Sequence, residues 1–189
     1  FALTLATTEG LVHGALERAR TRTRAALLDR LTVIDGCERA LKRDARNHDI
    51  GERDRAEVMA GFRRYLETLP DIAGRDPENV RIKDVVASGG FGIGSAGLPA
   101  YTILLEGSTD ALETDLLISL KQANVCAPSR VVEDEHIRTY FDHHGHRTVL
   151  SQRALQAHAD PWLGYTALDG IGQLVSELSP YARDRDWAA

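Results

Sequence analysis

Apolar and polar residues alternate over several short stretches in the second half of the chain, as they do in half-buried strands. The alternation starts at Val80 and returns after Leu163. Asp169-Gly170, between the last two stretches, is a strong signal for a tight hairpin turn. The pattern therefore predicts an antiparallel sheet of five strands, at residues 80–87, 100–106, 115–123, 163–168 and 173–178.

The first part of the chain has the spacing of helices instead. Apolar residues from Glu9 to Leu31 recur at intervals of three and four, which predicts one amphipathic helix or a broken pair. A second helix is predicted from Val58 to Leu69, and Pro70 ends it. Residues 35–55 are rich in charge and poor in apolar side chains, which predicts a loop or mobile connector.

Two further helices are predicted between the third and fourth strands. One starts at Ser129, a suitable N-cap, and ends near Tyr140; the other covers 145–158. The fold class is therefore α+β, with helices on one face of the sheet. The turn-rich linker at 71–79 suggests two units, a helical N-terminal segment at 1–78 and a sheet-containing lobe at 79–189.

A glycine-rich turn joins the first two predicted strands. Gly92, Gly94 and Gly97 have the G-x-G-x-x-G spacing of a dinucleotide fingerprint, which requires a helix after the last glycine. Here Leu98-Pro99 and a strand pattern follow, which favours a hairpin lid that covers nucleotide phosphates with its backbone N–H groups. A dinucleotide oxidoreductase is the alternative, and it needs a helix after Gly97.

Lys121 is the only basic residue between Gly97 and Arg130, and it ends an otherwise apolar third strand. Kinase-like folds hold nucleotide phosphates with a lysine on this strand, because a compact ammonium reaches them from a rigid support. The alternative is a surface lysine on an edge strand.

Four strings together resemble the bacterial "domain of unknown function 2252" family: GIGSAGLPAYTILLEG, LLISLKQA, HRTVLSQRALQ and LVSELSP. The resemblance extends from about Val80 to Trp187, and the family looks kinase-like, of the aminoglycoside-phosphotransferase sort. It implies ATP with Mg²⁺ as cofactor. It also implies a catalytic, phosphate-binding role for Lys121 and phosphate contacts by Gly92, Gly94, Ser95 and Gly97.

The order of elements makes Glu177 a further candidate site residue. It stands at the end of the last strand, which in kinase-like lobes leads into a hinge whose backbone groups hold adenine.

Three features depart from the family pattern. His146 stands where the family has a helix glutamate, and Ser176 where it has an arginine. The family's G-D-x-H-x-x-N segment and its acidic metal-binding segment are both missing from this chain.

These features leave two interpretations of function. The first is the nucleotide-binding part of a kinase-like phosphotransferase, with an unknown phosphoryl acceptor. The second is a catalytically inactive kinase-like module that acts through protein partners. Because the chain begins with Phe1 and lacks the upstream motifs, we expect it to be part of a longer protein.

Charge and cysteine content indicate which partners and which cellular compartment suit this chain. The net charge is −5 and the arginines alternate with acidic residues, which argues against nucleic acid as a partner. The run Arg18–Arg24 is typical of a solvated helix face, although it could bind an acidic partner. No apolar run reaches membrane-spanning length. Cys37 and Cys126 form no CxxC pair, which favours a reduced, cytoplasmic protein, although a single disulfide stays open.

Three other groups of residues could take part in chemistry. Histidines at 136, 143, 144 and 146 could bind zinc, but they lack finger-like spacing, so no metal site is predicted. An acidic turn, Glu133–Glu135, could supply a carboxylate partner for Lys121, although a solvated first helical turn explains it too. Asp184 and Asp186 resemble an acidic metal pair near the chain end, where a solvated turn is the commoner explanation.

Overall fold

The structure, a computed structural model, describes residues 3–70, 80–89 and 97–181. Gly92, Gly94 and Ser95, and also Asp184 and Asp186, lie outside these ranges. The helices are α1 (Gly10–Arg20), α2 (Arg24–Leu31), α3 (Glu52–Leu66), α4 (Glu135–Thr139) and α5 (His144–Leu155). The strands are β1 (Thr32–Asp35), β2 (Glu38–Leu41), β3 (Asn47–His48), β4 (Ile82–Ser88), β5 (Ala100–Leu105), β6 (Leu116–Gln122), β7 (Gly164–Leu168) and β8 (Ile171–Glu177).

The main sheet is antiparallel, with strand order β3-β4-β5-β6-β8-β7. The predicted α+β class and all five predicted strands are confirmed, and the two-residue β3 extends the sheet beside β4. Asp169 and Gly170 both have positive φ, 47° and 77°, as a two-residue hairpin turn with the twist of its strands requires.

Helix α3 covers one face of the sheet. Its buried residues Val58, Phe62 and Tyr65 share a core with strand residues that include Ile103 and Ile118. The helix lies so close to β7 that a Cβ at Gly61 would meet the Leu168 side chain at 2.3 Å. This contact explains why a glycine stands in the middle of a helix, where it would otherwise cost stability.

Helices α2 and α5 lie on the opposite face. Leu27 and Leu28 of α2 pack against Leu104 and Leu117, the neighbours in sequence of Ile103 and Ile118. Successive side chains of a strand point to opposite faces. The prediction that helices cover one face is therefore wrong, because the apolar runs of β5 and β6 are buried on both sides.

Helix α5 lies over β7 and β8 on the α2 side. A Cβ at Gly145 would meet the backbone oxygen of Gln173 at 2.3 Å, so only glycine allows this approach. His146 stacks on Tyr165, whereas the next residue of β7, Thr166, hydrogen-bonds to Gly61 of α3. The predicted helix at 145–158 is confirmed, with its end three residues earlier.

Residues 35–55 contain ordered elements, so the prediction of a loop or mobile connector is wrong. They hold the end of the β1–β2 hairpin, β3 and the start of α3. The charged side chains that suggested a solvated segment are paired with the sheet. Arg43 makes a bidentate contact with Asp84, and the buried Arg39 lies 3.6 Å from Asp115.

Two other helix predictions change in detail. The segment from Glu9 to Leu31 forms the broken pair, α1 and α2. The single helix expected from Ser129 to Tyr140 is instead a 3₁₀ turn, Ala127–Arg130, followed by the short α4. The Asp134 side chain accepts hydrogen bonds from the N–H groups of His136 and Ile137, so the helix starts at that cap.

The division into segments 1–78 and 79–189 stays a prediction. In the structure α3 shares the principal core with the sheet, and β3 hydrogen-bonds to β4.

Candidate functional site

Lys121 lies beside the strand that leaves the glycine-rich turn. Its Cα partner on β5 is Ala100, three residues after Gly97. Gly97 has a φ of +78°, a conformation that favours glycine, and the Gln122 N–H donates to the Pro99 carbonyl at 3.3 Å. The register therefore places Lys121 at the end of the sheet where β4 ends and β5 begins, on either side of the glycine-rich turn.

The Lys121 side chain is half-buried, and burial lowers the pKa of its ammonium group. A desolvated ammonium is stabilised when an anion approaches it, because the anion replaces the lost interaction with water.

A row of hydroxyl groups crosses the face on which Lys121 lies. Ser88 Oγ is 2.7 Å from Thr102 Oγ1, and Thr102 is opposite Ser119 in the β5–β6 register. All three are buried, and within the described residues Ser119 Oγ has no hydrogen-bond partner. We did not predict this row from the sequence, although a polar residue inside the apolar β6 run was a visible signal.

The half of this face farther from the glycine turn is covered by α2. Leu28 is fully buried against Leu104 and Leu117, each at most 2% exposed. Leu117 precedes Lys121 by four residues, or about 13 Å along a strand. Helix α2 therefore packs on the part of this face that lies away from Lys121.

Helix α5 presents an arginine, not His146, toward β6. The His146 ring stacks on Tyr165 with centroids 4.5 Å apart, and its Nδ1 is 3.2 Å from Asp142 Oδ2. Tyr165 lies on β7, which β8 separates from β6. Arg147 instead donates from Nη2 to the Asn124 carbonyl at 3.0 Å, just beyond the end of β6. His146 therefore occupies the β7 side of the helix.

Glu177 lies at the end of β8, as predicted. Its Oε1 is 3.0 Å from Arg24 Nη2, and its N–H donates to Asp160 Oδ2 at 2.7 Å. Ile118 is its Cα partner on β6, three residues before Lys121. Glu177 lines a cavity of about 460 Å³ between α5 and the end of β8. Its role in a nucleotide site stays a prediction, as do those of Gly92, Gly94, Ser95 and Gly97.

The histidine cluster has a structural role in the described residues. His143 Nδ1 accepts the His146 N–H at 3.1 Å and so caps α5, and burial lowers the pKa of His143. Within the three described ranges, no group of three or more His, Cys, Asp and Glu side chains could hold a metal ion. Cys37 and Cys126 are both free thiols.

A buried ion cluster lies at the other end of the same face. Asp115 Oδ2 is 3.0 Å from Lys83 Nζ and 3.6 Å from Arg39 Nε. The side chains of the two cations are each 5% exposed and that of Asp115 is 1% exposed. This cluster attaches the β1–β2 hairpin to the sheet.

Comparison with known proteins identified one family. Residues 1–189 match the family described as "Uncharacterized protein conserved in bacteria (DUF2252)". The chain belongs to this family. The match therefore also covers α1, α2 and α3, which precede the residues whose motifs resemble the family. Searches of curated proteins and of solved structures gave no match. In the described part of the chain, no helix has the length and apolar character needed to cross a bilayer.

Proposed function

We propose that this DUF2252 chain forms the nucleotide-binding part of a kinase-like phosphotransferase, and that ATP phosphates lie between the glycine-rich turn and Lys121. The observation that carries the proposal is the pairing of Lys121 with Ala100, directly after that turn. Kinase-like lobes use the same arrangement, a glycine-rich loop over the phosphates and a lysine on the third strand. The order of elements agrees, since α5 lies between the third and fourth of the five long strands.

The chemistry at this site would be electrostatic. Backbone N–H groups of the turn and the Lys121 ammonium would stabilise negative charge on the phosphates, and Glu177 would mark the start of the hinge. Mg²⁺ would enter with the nucleotide, bound by its phosphate oxygens, because the described residues offer no cluster of three ligands. The phosphoryl acceptor and the remaining catalytic groups would come from outside this chain. A cytoplasmic protein would meet ATP at suitable concentrations.

The test is thermal unfolding with and without Mg²⁺-ATP for wild type, Lys121→Met and the control Lys42→Met. Nucleotide at a hundred times its dissociation constant should stabilise the native state by about 2.7 kcal/mol, or roughly 5–11 °C in Tm. Wild type and Lys42→Met should show this shift and Lys121→Met should lose it. Lys42 is a suitable control because its Nζ donates to the carbonyls of Asp29 and Arg30, far from the turn in sequence.

A second measurement does not depend on the folding of the variant. Because burial lowers its pKa, Lys121 has more of the reactive free amine at neutral pH than an ordinary lysine. We expect Mg²⁺-ATP to slow the acylation of Lys121 in the wild type. An equal rate with and without ATP would remove Lys121 from the site.

The second candidate function is a kinase-like module that binds a protein partner without catalysis. Two observations favour it: α2 fills part of the face beside Lys121, and α5, which would supply the glutamate partner of Lys121, contains no acidic residue. Absence of any ATP effect on wild-type Tm and on acylation would support this alternative over the first.

A further inference from the structure

A second cavity, separate from Lys121 and the glycine turn, lies between α4 and α5. Its volume is about 350 Å³, within the range of small-molecule sites. The residues after β6, from Val125 to Val132, form one side, and the first turn of α5 forms another. None of the residues assigned above to the phosphates lines it.

One wall of this cavity is cationic. Arg138 and Arg147 both line it, and neither lies within 4.0 Å of a carboxylate in the described residues. Arg147 Nε is buried and has no hydrogen-bond partner in the same ranges, so one donor of a planar guanidinium is unused. The one lining carboxylate, Asp142, is already 3.2 Å from His146 Nδ1.

The start of α5 adds to this positive potential. His143 accepts the His146 N–H through Nδ1, so the neutral ring carries its proton on Nε2 and remains a donor at that atom. The helix has twelve residues, and the partial positive charge at its N-terminus favours an anion nearby. Two guanidinium groups, an imidazole N–H donor and the dipole of α5 thus all favour an anion in this cavity.

The other wall is apolar. Val125, Ile137 and Phe141 line it, and the first two remain 47% and 53% exposed although they are large aliphatic side chains. A ligand that covered them would gain the free energy of burying that apolar surface. The cavity therefore suits a molecule with an oxyanion at one end and an apolar body at the other.

We propose that this cavity binds a small amphipathic anion, a phosphate or carboxylate carried on an apolar group, with Arg138 and Arg147 as the residues that hold the oxyanion. The guanidinium fork makes two parallel hydrogen bonds to either kind of oxyanion, which gives orientation as well as affinity. None of these residues is among those proposed to contact the nucleotide phosphates.

The test uses phenyl phosphate, inorganic phosphate and benzoate as probes. Calorimetric titration gives the affinity, and amide shifts of Ser129 and residues 143–147 in NMR spectra give the location. We expect saturable binding of phenyl phosphate, with weaker binding of inorganic phosphate because it lacks the apolar body. Tighter binding of phenyl phosphate than benzoate would assign the head group as phosphate, and the reverse order would assign it as carboxylate.

Variants determine which residues bind the probe. Arg138→Gln and Arg147→Gln should each weaken phenyl phosphate about tenfold, because each removes a charge-assisted hydrogen bond. Arg130→Gln is the matched control, since Arg130 is exposed on the adjacent 3₁₀ turn but does not line the cavity. Arg138 is itself exposed and makes no ion pair in the described residues, so its loss should leave the fold intact.

Two results would overturn the proposal. One is the absence of saturable binding of both organic probes up to about 10 mM, which corresponds to less than about 3 kcal/mol of affinity. The other is binding that Lys121→Met abolishes and the two arginine variants leave unchanged, because the anion would then occupy the nucleotide site. Unchanged phenyl phosphate affinity in Lys121→Met, with the expected losses in both arginine variants, would support a separate site even if ATP does not bind.

Discussion

Replacement of Asp115 by asparagine is the sharpest test of how the β1–β2 hairpin is attached to the sheet. The change keeps the shape of the side chain but removes its charge. Lys83 Nζ lies 3.0 Å from the carboxylate and Arg39 Nε lies 3.6 Å from it, and both cationic side chains are 5% exposed. The variant therefore leaves two buried cations without their shared counter-ion.

The expected cost is about 3–5 kcal/mol, the range for removing one partner from a buried ion pair. In a domain of this size, Tm falls by about 2–4 °C per kcal/mol, so we expect a decrease of roughly 6–20 °C. Urea unfolding followed by circular dichroism measures the free energy of unfolding directly. The m-value should stay unchanged, because the variant exposes no additional surface on unfolding.

Two further variants separate the buried charge from other effects. Asp110→Asn removes an exposed carboxylate from the link before β6, and its cost should stay within about 0.5 kcal/mol. Lys83→Met combined with Asp115→Leu replaces one buried pair by apolar groups and should recover the part of the loss that comes from Lys83, while Arg39 still lacks its counter-ion. A cost below about 1 kcal/mol for Asp115→Asn would mean that the cluster behaves like a solvated surface pair, and the assignment would be wrong.

Two other predictions concern α5 and the Arg43 contact. Gly145→Ala places a Cβ 2.3 Å from the Gln173 backbone oxygen, closer than the two atoms can approach. We expect α5 to move from β8, with a stability loss of about 1–3 kcal/mol and faster amide exchange in α5; wild-type exchange rates would contradict this. For Asp84, burial favours a higher pKa, but hydrogen bonds from Arg43 and backbone N–H groups outweigh it and the pKa is lowered. A lowered folded-state pKa adds stability above the unfolded value of about 3.9, and this is lost as the pH falls through the folded value. The urea midpoint of wild type should therefore fall more steeply below about pH 4 than that of Asp84→Asn, and parallel pH profiles would exclude the contribution of Asp84.

The strands of the sheet were predictable because their signals are local. Each signal depends on residues that are neighbours in sequence: the alternation in β4 and β7, the apolar runs in β5 and β6, and the Asp169-Gly170 turn. Lys121 could be assigned to the glycine-turn end for the same reason, because successive antiparallel strands reverse direction. The register that pairs it with Ala100 then follows from the length of the hairpin.

The attachment of the β1–β2 hairpin to the sheet could not be predicted in this way, because its contacts join distant parts of the chain. Arg43 and Asp84 are separated by 41 residues, and a charge-dense segment gives no local sign that its charges are paired. Helical spacing likewise could not indicate which side of α5 faces β6. The packing of Gly145 on Gln173, a contact between distant residues, accompanies the rotation that turns Arg147, and not His146, toward Asn124.

The two halves of the sheet face that carries Lys121 should contribute differently to the affinity for a nucleotide. Near the glycine turn the face carries Lys121, with a lowered pKa, and the buried hydroxyl of Ser119; farther away it is filled by Leu28 of α2. Binding of an anion stabilises the charged form that burial disfavours, whereas entry of a base between α2 and the sheet would first expose apolar core surface to water. We therefore expect the phosphates to contribute most of the affinity. Inorganic triphosphate should then protect Lys121 from acylation nearly as well as ATP, and protection by adenosine alone would refute this reasoning.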